Sequence, residues 1–215
     1  MSVEAMVLAG GRSSRFGGDK LAAFISDRTV LAATVGAVAE VADRVVVLGP
    51  AVPSDLGARG TPVSQLSDRE PFGGPLIPLA AALERTGRPS GNELVIVVGG
   101  DMPRLVPAVL AHMLSLLAAT PAIDAVILGA PDPGASRRQV LPLALRLAPA
   151  GRAAREAVDA GERSLGSLAD RLRVTELPAS VWLELDPRAE SLIDVDTPED
   201  LDRLRDGPVD APGRR

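Results

Sequence analysis

Residues 6–20 combine an apolar run with glycines, hydroxyl groups and cations in a pattern that suits phosphate binding. The stretch reads Met-Val-Leu-Ala-Gly-Gly-Arg-Ser-Ser-Arg-Phe-Gly-Gly-Asp-Lys. Glycines let the backbone approach an anion closely, successive N–H groups can point at it, and cations neutralise its charge. The spacing is neither the dinucleotide-binding fingerprint nor the Walker loop, because no Gly-x-x-Gly follows Gly10 and Gly11 and no Gly-Lys-Ser/Thr is present. The stretch therefore predicts a cradle for a nucleoside triphosphate.

Lys20, the last residue of this stretch, is the only lysine in the chain, since all the others of the 23 lysine and arginine residues are arginine. A lysine retained in such a composition suggests a need for a compact ammonium. An ammonium reaches phosphate oxygens as a point charge, which a planar guanidinium does not replace well. We predict that Lys20, together with Arg15, neutralises the charge of the phosphates.

An acidic residue follows the most apolar segment of the chain. Residues 93–98 predict a central buried strand, and it ends in Gly-Gly-Asp-Met-Pro, which contains Asp101. A carboxylate just past the end of a central parallel strand can hold a hard cation beside phosphates. Asp101 is therefore a candidate metal ligand.

The elements that must position these residues alternate along the chain. Apolar runs predict strands at residues 3–9, 44–48, 93–98, 124–129 and 139–147. Helical periodicity predicts helices at residues 30–41, 105–119 and 148–170, the last with a cap at 161–164. A further helix is predicted to begin at the Gly-Pro-Leu of residues 74–76 and to continue through residue 83. Residues 51–69 read as a loop or a short edge strand. We predict one α/β domain over residues 1–205, a doubly wound, mostly parallel sheet with helices on both faces and a ligand crevice at the carboxyl ends of its strands, followed by a disordered tail at 206–215.

Composition narrows the class of protein. With 215 residues, 46% of them hydrophobic, the chain can form one sizeable core. A net charge of −5 argues against a nucleic-acid surface, and the absence of cysteine excludes thiolate chemistry. No apolar run of eighteen residues is present, so we expect a cytoplasmic protein that binds neither nucleic acid nor a membrane.

The first stretch resembles the N-terminal signature of a known family. Leu8-Ala9-Gly10-Gly11-x-Ser13-x-Arg15-x-Gly17-x-Asp19-Lys20 is similar to the signature of molybdenum cofactor guanylyltransferases, the MobA-type members of the nucleotidyltransferase superfamily. Phe16 stands where methionine is usual, and both are apolar. The Gly-Asp-Met-Pro at 100–103 is similar to the family's metal-binding signature. The resemblance spans residues 3–204 and implies a Rossmann-like nucleotidyltransferase fold.

The resemblance also implies roles for individual residues. Lys20, Arg15 and Asp101 are the predicted catalytic residues. The predicted nucleotide-binding residues are Leu8, Ala9, Gly10, Gly11, Ser13, Lys20, Asp68, Gly74 and Asp101. Pro78 stands near a position where the family usually has glycine. Residues bordering the pterin-bearing substrate in the family correspond to Arg137, Arg138 and Gln139, so these are the predicted acceptor-binding residues.

Two further aspartates precede a helix-start pattern near the end of the chain. Asp194 and Asp196 lead into Thr197-Pro198-Glu, in which Asp196 or Thr197 can cap a helix. We predict that these aspartates follow the final strand of the sheet. If that strand runs parallel to the central strand, they open on the same crevice as Asp101 and can share one Mg²⁺ with it. By resemblance we assign Asp196 to the metal and Asp194 to the acceptor. The family has asparagines at both positions, so the aspartates lean toward related members that act on other acceptors.

The resemblance implies transfer of GMP from GTP to the phosphate of molybdenum-bound molybdopterin, with Mg²⁺ as cofactor and release of pyrophosphate. An anionic phosphate acceptor needs no strong general base, which agrees with the absence of a Ser-His pair or a cysteine. Molybdoenzyme maturation proteins are the implied protein partners. One alternative is a nucleotidyltransferase that uses CTP or another triphosphate on a different phosphorylated acceptor. The other is a non-catalytic nucleotide-binding maturation partner.

Overall fold

Seven strands form a single sheet in the computed structural model, which describes residues 2–10, 16–49, 56, 60–67, 73–85, 93–132 and 139–206. The sheet strands are β1 (Val3–Leu8), β4 (Arg44–Leu48), β5 (Val63–Leu66), β6 (Leu94–Gly99), β7 (Ala125–Leu128), β8 (Leu143–Arg146) and β9 (Val174–Leu177). Two short strands, β2 (Phe24–Ile25) and β3 (Arg28–Thr29), pair as a separate antiparallel hairpin.

The strands lie in the order β5-β4-β1-β6-β8-β7-β9. Neighbouring strands are parallel except for β8, which runs antiparallel to β6 and to β7. The order reverses between β1 and β6, and in such sheets a ligand crevice opens at the carboxyl ends of the two strands that flank the reversal. The doubly wound, mostly parallel sheet predicted from the sequence is confirmed, with β6 at its centre.

Helices cover both faces of the sheet. They are α1 (Val30–Ala39), α2 (Leu76–Arg85), α3 (Pro107–Ala119), α4 (Leu147–Asp159), α5 (Leu165–Ala169), α6 (Ala179–Trp182) and α7 (Pro198–Asp206), with a 3₁₀ turn at Glu190–Leu192. Helices α1, α3 and α6 pack on one face and α2, α4 and α5 on the other. Ile96 and Val97, neighbours in β6, are both fully buried in the two opposite cores. This two-sided burial explains why the strands read as continuous apolar runs. None of the helices in the described ranges is long and apolar enough to cross a membrane.

Most element boundaries agree with the sequence prediction, and one strand is shorter than predicted. The segment at 51–69 contains the edge strand β5, and the predicted cap at 161–164 is formed by Ser164, whose Oγ accepts a 3.1 Å hydrogen bond from Ser167 N. The strand predicted at 139–147 is shorter, at Leu143–Arg146. Pro142 directly precedes it and has no N–H to donate to a ladder.

The strand predicted before Asp194 is wrong. In the described part of the chain this region consists of the 3₁₀ turn at Glu190–Leu192 and then residues without a strand ladder. β6 is already paired with β1 on one side and β8 on the other, so it offers no free edge. Val195 instead donates one 2.9 Å backbone hydrogen bond to the carbonyl of Asp101, beyond the end of β6.

Helix α7 is held at its start by a reciprocal cap. Thr197 Oγ1 accepts from Asp200 N at 3.2 Å, and Asp200 Oδ2 accepts from Thr197 N at 2.8 Å. Leu201 packs with Val195 and Val30 in a small buried cluster, which fixes the residues before α7 against the start of α1. α7 ends at Asp206, and residues 207–215 of the predicted tail lie outside the described residues.

Candidate active site

Three side chains from distant parts of the chain meet at the carboxyl edge of the sheet. Lys20 Nζ lies 2.7 Å from Asp101 Oδ2 and 2.9 Å from Asp196 Oδ1. The Lys20 side chain is 14% exposed, that of Asp101 25% and that of Asp196 50%. One ammonium thus bridges two carboxylates that remain open to solvent on the outer side. Sequence reasoning selected all three residues but not the contact between them.

Asp101 owes its position to the turn that ends β6. Gly100 N donates a 2.9 Å hydrogen bond to Leu8 O, which joins this turn to the end of β1. A Cβ on Gly99 would collide with Asp101 Oδ1, so a larger residue there would displace this carboxylate. The bond from Val195 N to the Asp101 carbonyl brings the residue beside Asp196 to the same turn.

Lys20 is positioned by a local turn and an apolar anchor. Asp19 Oδ1 accepts hydrogen bonds from Leu21 N at 3.1 Å and from Ala22 N at 3.4 Å, which curls the backbone around Lys20. Phe16 and Leu21 pack against the cluster at the start of α7. Phe16 therefore contributes an apolar contact to this cluster, which another apolar side chain could also make.

Charge in the site is unevenly balanced. Burial alone would lower the pKa of Lys20, but its hydrogen bonds and charge attraction to Asp101 and Asp196 outweigh burial and raise that pKa above its ordinary value. Loss of hydration raises the pKa of the Asp194 carboxyl, and the negative charges of Asp196 and Asp101 raise it further. Within the described ranges, three carboxylates therefore share one lysine, and the site favours an additional cation.

The two carboxylates on Lys20 fit a magnesium ion better than a metal held by protein alone. They converge on a single cation, since both contact the same ammonium. Among the residues that the structure describes, no group of three His, Cys, Asp or Glu side chains is placed to hold a metal. Mg²⁺ commonly takes one or two carboxylates, with substrate phosphates and water as its other ligands. Asp101 and Asp196 are therefore the residues that could hold Mg²⁺ together with a bound triphosphate.

The predicted nucleotide-binding residues are only partly described. Leu8 pairs in register with Gly99, and Ala9 N donates to Leu48 O at 2.8 Å, so Leu8, Ala9 and Gly10 lie at the same edge as Asp101. Six of the predicted site residues lie outside the described residues: Gly11, Ser13, Arg15, Asp68, Arg137 and Arg138.

Gly74, two residues before α2, packs against Arg163 in the turn at 161–164. The sequence did not indicate this contact. The φ of Gly74 is +98°, and an added Cβ would lie 2.7 Å from the carbonyl oxygen of Arg163. That oxygen accepts a 3.2 Å hydrogen bond from Leu76 N. The N–H of Leu76, the first residue of α2, is therefore used by this turn. A glycine ahead of Pro75 was the one sequence signal for such a close approach.

Gln139 bonds to the chain rather than pointing free into the crevice. Its Nε2 donates to the carbonyl of Leu192 at 3.1 Å, although the side chain is at the surface. This bond ties the segment after β7 to the segment that carries Asp194. The predicted role of Gln139 at the acceptor therefore stays a prediction.

A doubly wound sheet with a lysine, two carboxylates and glycine-flanked turns at its carboxyl edge is the arrangement of a nucleotide-binding α/β enzyme. The chain belongs to the family of the MobA-like NTP transferase domain, whose sequence model matches residues 5–173. It is thus a member of the MobA-like nucleotidyltransferases, as the first stretch of the sequence indicated.

Individual relatives agree with this membership. The chain is 29% identical over 208 residues to a probable molybdenum cofactor guanylyltransferase of Chloroflexus aggregans. The aligned residues are 94% of this chain and 92% of the relative. Molybdopterin-guanine dinucleotide biosynthesis protein A from Archaeoglobus fulgidus is similar in structure, with a TM-score of 0.69 at 22% identity over 94% of this chain and 97% of that one. 2-C-methyl-D-erythritol 4-phosphate cytidylyltransferase from Thermus thermophilus has a TM-score of 0.68 at 18% identity, over 96% and 98%. The structural likenesses establish the shared fold.

Proposed function

We propose that the protein transfers GMP from GTP to the phosphate of molybdenum-bound molybdopterin and releases pyrophosphate. The observation that carries the proposal is the bridge from Lys20 to Asp101 and Asp196, at 2.7 and 2.9 Å, beside the end of β1. An ammonium and a carboxylate pair at one point would suit phosphates and a metal ion together. The Chloroflexus aggregans relative, a probable molybdenum cofactor guanylyltransferase, supports the choice of nucleotide and acceptor.

In the proposed reaction a phosphate oxygen of the acceptor attacks the α-phosphorus of GTP. The new P–O bond forms as the bond from the α-phosphorus to the bridging oxygen breaks, and that oxygen leaves with pyrophosphate. The acceptor oxygen is already anionic, so no proton must be removed from it. The protein then contributes mainly by orienting the reactants and by neutralising charge on the leaving group.

The residues of the chain divide this work. Lys20, released from the carboxylates, would pair with phosphate oxygens of the triphosphate, and the backbone at Gly10 would approach them closely. Asp101 and Asp196 would hold Mg²⁺, which when bound supplies positive charge next to the phosphates. Asp194 would face the acceptor, and Arg15 would add a second fixed cation to the cradle.

Pyrophosphate release tests the proposal directly. The protein is incubated with Mg²⁺ and, in turn, GTP, CTP, ATP or UTP, each with and without molybdopterin loaded with molybdate. We expect release only with GTP and the acceptor together. Release with GTP but only on another phosphorylated acceptor would retain the family chemistry and reject the proposed acceptor. Binding of nucleotide without any release would favour the non-catalytic partner.

A related transferase with a different acceptor is the second candidate, and the two aspartates favour it. Asp194 and Asp196 are negatively charged where the resembled family has neutral asparagines, and Asp194, which is not assigned to the metal, would repel an anionic acceptor. An acceptor that presents hydroxyl or amine donors beside its phosphate would suit these carboxylates better. Asp194→Asn separates the two candidates, because it should lower the Michaelis constant for molybdopterin only if molybdopterin is not the natural acceptor.

A further inference from the structure

Thr34 is a buried hydroxyl residue on α1 that contacts the turn bearing Asp101. It is 0% exposed. Its Oγ1 lies 3.1 Å from the carbonyl oxygen of Gly100 and 3.1 Å from that of Val30, one helical turn earlier. A threonine in a helix can satisfy its hydroxyl with the preceding turn alone. The second contact joins α1 to the peptide bond between Gly100 and Asp101.

That peptide bond and its neighbour are fixed on both sides. Gly100 N donates to Leu8 O at 2.9 Å, and the carbonyl of Asp101 accepts from Val195 N at 2.9 Å. The carbonyl of Gly100 lies between these two bonds and contacts Thr34. A change of φ at Asp101 alters the angle between this peptide plane and the Asp101 side chain, so reorientation of the plane can move the carboxylate away from Lys20. The hydroxyl of Thr34 opposes that rotation, because a buried carbonyl that loses its donor is costly.

The same helix also supports Asp196. Val30, the first residue of α1, packs in the cluster with Val195, which lies directly before Asp196. Two successive turns of α1 therefore contact the two segments that carry the carboxylates. Thr34 contacts the segment of Asp101 through a hydrogen bond, and Val30 contacts the segment of Asp196 through apolar packing.

We propose that Thr34 is a positioning residue that sets the orientation of Asp101 for metal and triphosphate binding. The effect expected on GTP and Mg²⁺ binding rests on the proposed function. The effect expected on the contact between Asp101 and Lys20 does not. Thr34 contacts neither substrate nor metal, and it acts through the Gly100 carbonyl. Residues that orient metal ligands in this way typically change metal affinity by about 10- to 100-fold when they are removed.

The test compares variants of Thr34, within α1, with a variant of Thr61, which lies outside α1 and bonds to its last residue. Thr34→Val removes the hydroxyl and keeps the shape, whereas Thr34→Ser keeps the hydroxyl. Thr61→Val is the matched control, because Thr61 Oγ1 also donates to a backbone carbonyl at 3.1 Å, that of Ala39 at the far end of α1. GTP binding is measured by calorimetry over a series of Mg²⁺ concentrations, and the melting temperature is recorded for each variant.

We expect Thr34→Val to weaken Mg²⁺-dependent GTP binding by roughly tenfold and to leave Mg²⁺-free binding unchanged. Thr34→Ser should restore the wild-type values, and Thr61→Val should lower only the melting temperature. Equal losses with and without Mg²⁺, or equal effects of Thr34→Val and Thr61→Val, would show a structural role only and overturn the proposal. Thr34→Ala carries the test should the valine variant not fold.

A crystal structure of Thr34→Val gives the readout that does not depend on the proposed function. The Asp101 carboxylate should leave its contact with Lys20 Nζ, which is 2.7 Å in the wild-type chain. An unchanged contact would refute the positioning role. If wild-type protein binds no triphosphate at all, the proposed function fails, and this structural comparison still decides the role of Thr34.

Discussion

Lys20 Nζ donates a 2.7 Å hydrogen bond to Asp101 Oδ2, one of the two carboxylates assigned to the metal. A magnesium ion bound by Asp101 and Asp196 would use the same two carboxylates, with ligand oxygens at about 2.0–2.1 Å. The ammonium and the metal therefore compete for the carboxylates. A triphosphate resolves the competition, because its oxygens can accept Lys20 when the metal takes the carboxylates.

Replacing Lys20 should therefore have opposite effects on two measurements. In Lys20→Met we expect Mg²⁺ to bind the nucleotide-free protein more tightly by roughly tenfold, the effect of about 1.4 kcal/mol of lost competition. Turnover should fall by on the order of a hundredfold to a thousandfold, because a contact to the transition state is lost. Calorimetric Mg²⁺ titration and pyrophosphate release measure the two effects.

Arg155→Met is the control for the lysine variant, since Arg155 also forms a 2.7 Å ion pair, with Glu84, on the outer side of α4. It should change neither quantity. Near wild-type turnover in a folded Lys20→Met protein would exclude the phosphate role, and weaker Mg²⁺ binding would exclude competition.

The three aspartates should differ in their effect on magnesium dependence. Asp101→Asn should raise the Mg²⁺ concentration needed for half-maximal turnover most, because Asp101 is held on both sides by backbone hydrogen bonds at the centre of the site. Asp196→Asn should raise it less, since the Asp196 side chain is 50% exposed and can be replaced in part by water. Asp194→Asn should mainly raise the Michaelis constant of the natural acceptor.

A magnesium titration of turnover in the three variants checks this order. Melting curves of each variant separate lost metal binding from lost folding. Unchanged magnesium dependence in Asp101→Asn would refute the assignment of the metal to this carboxylate.

The raised pKa of Asp194 predicts a pH-dependent gain in stability on its replacement. Loss of hydration, then repulsion from Asp196 and Asp101, raises that pKa in the folded state. A carboxyl whose pKa is higher in the folded state than in the unfolded state destabilises the fold once it is ionised. This cost develops as pH rises from the ordinary aspartate pKa, about 3.9, through the raised pKa of the folded state. Asp194→Asn removes this penalty. We expect its melting temperature to exceed that of wild type by on the order of 1 °C at pH 7.5, because solvent screens the charge, and the gain to fade toward pH 4.

Thermal melts between pH 4 and 8 test the Asp194 prediction. Asp202→Asn serves as the control, because Asp202 is paired with Arg205 at 3.1 Å, so its neutralisation should give no gain at pH 7.5. A gain for Asp194→Asn that did not change with pH would contradict the electrostatic explanation.

Gly74→Ala should lower stability and loosen the start of α2. The added methyl would lie 2.7 Å from the backbone oxygen of Arg163, at a φ of +98°. Crowding of this kind costs about 1–3 kcal/mol, which is several degrees of melting temperature. Gly161→Ala has a similar φ of +82° but no atom within 4 Å of the new methyl, so it isolates backbone strain. Equal melting temperatures for the two variants would exclude the steric effect, and GTP titration of both reports the effect on nucleotide binding.

Sequence patterns within single segments predicted the features that depend on those segments alone. The apolar runs located β1 and β6, and the position after a central strand identified Asp101. The antiparallel direction of β8 could not be read from the sequence, because Leu143 and Ala144 are buried on opposite faces and such a run has no direction. The contact of Leu76 N with Arg163 O was likewise hidden, since backbone atoms carry no sequence signal.

The ion pairs of the site required knowledge of distant segments. The sequence predicted that the aspartates open on one crevice, yet nothing in the neighbourhood of Lys20 indicated that it bridges Asp101 and Asp196. The absence of a strand before Asp194 depended on the edges of β6 being occupied by β1 and β8. That is a property of the assembled sheet, which no single segment encodes.

The bridge between Lys20 and Asp196 joins residues 176 positions apart in the chain. All seven strands of the sheet are complete by Leu177, before Asp196 is reached. Contacts that close such long loops form slowly, because the ends must lose much chain entropy before they gain contact energy. The carboxylate pair is therefore expected to assemble after the sheet during refolding and, in a cell, only after residue 196 has left the ribosome. Under the proposed function, a growing or half-folded chain would lack the carboxylate pair and would consume no nucleoside triphosphate until its fold is finished.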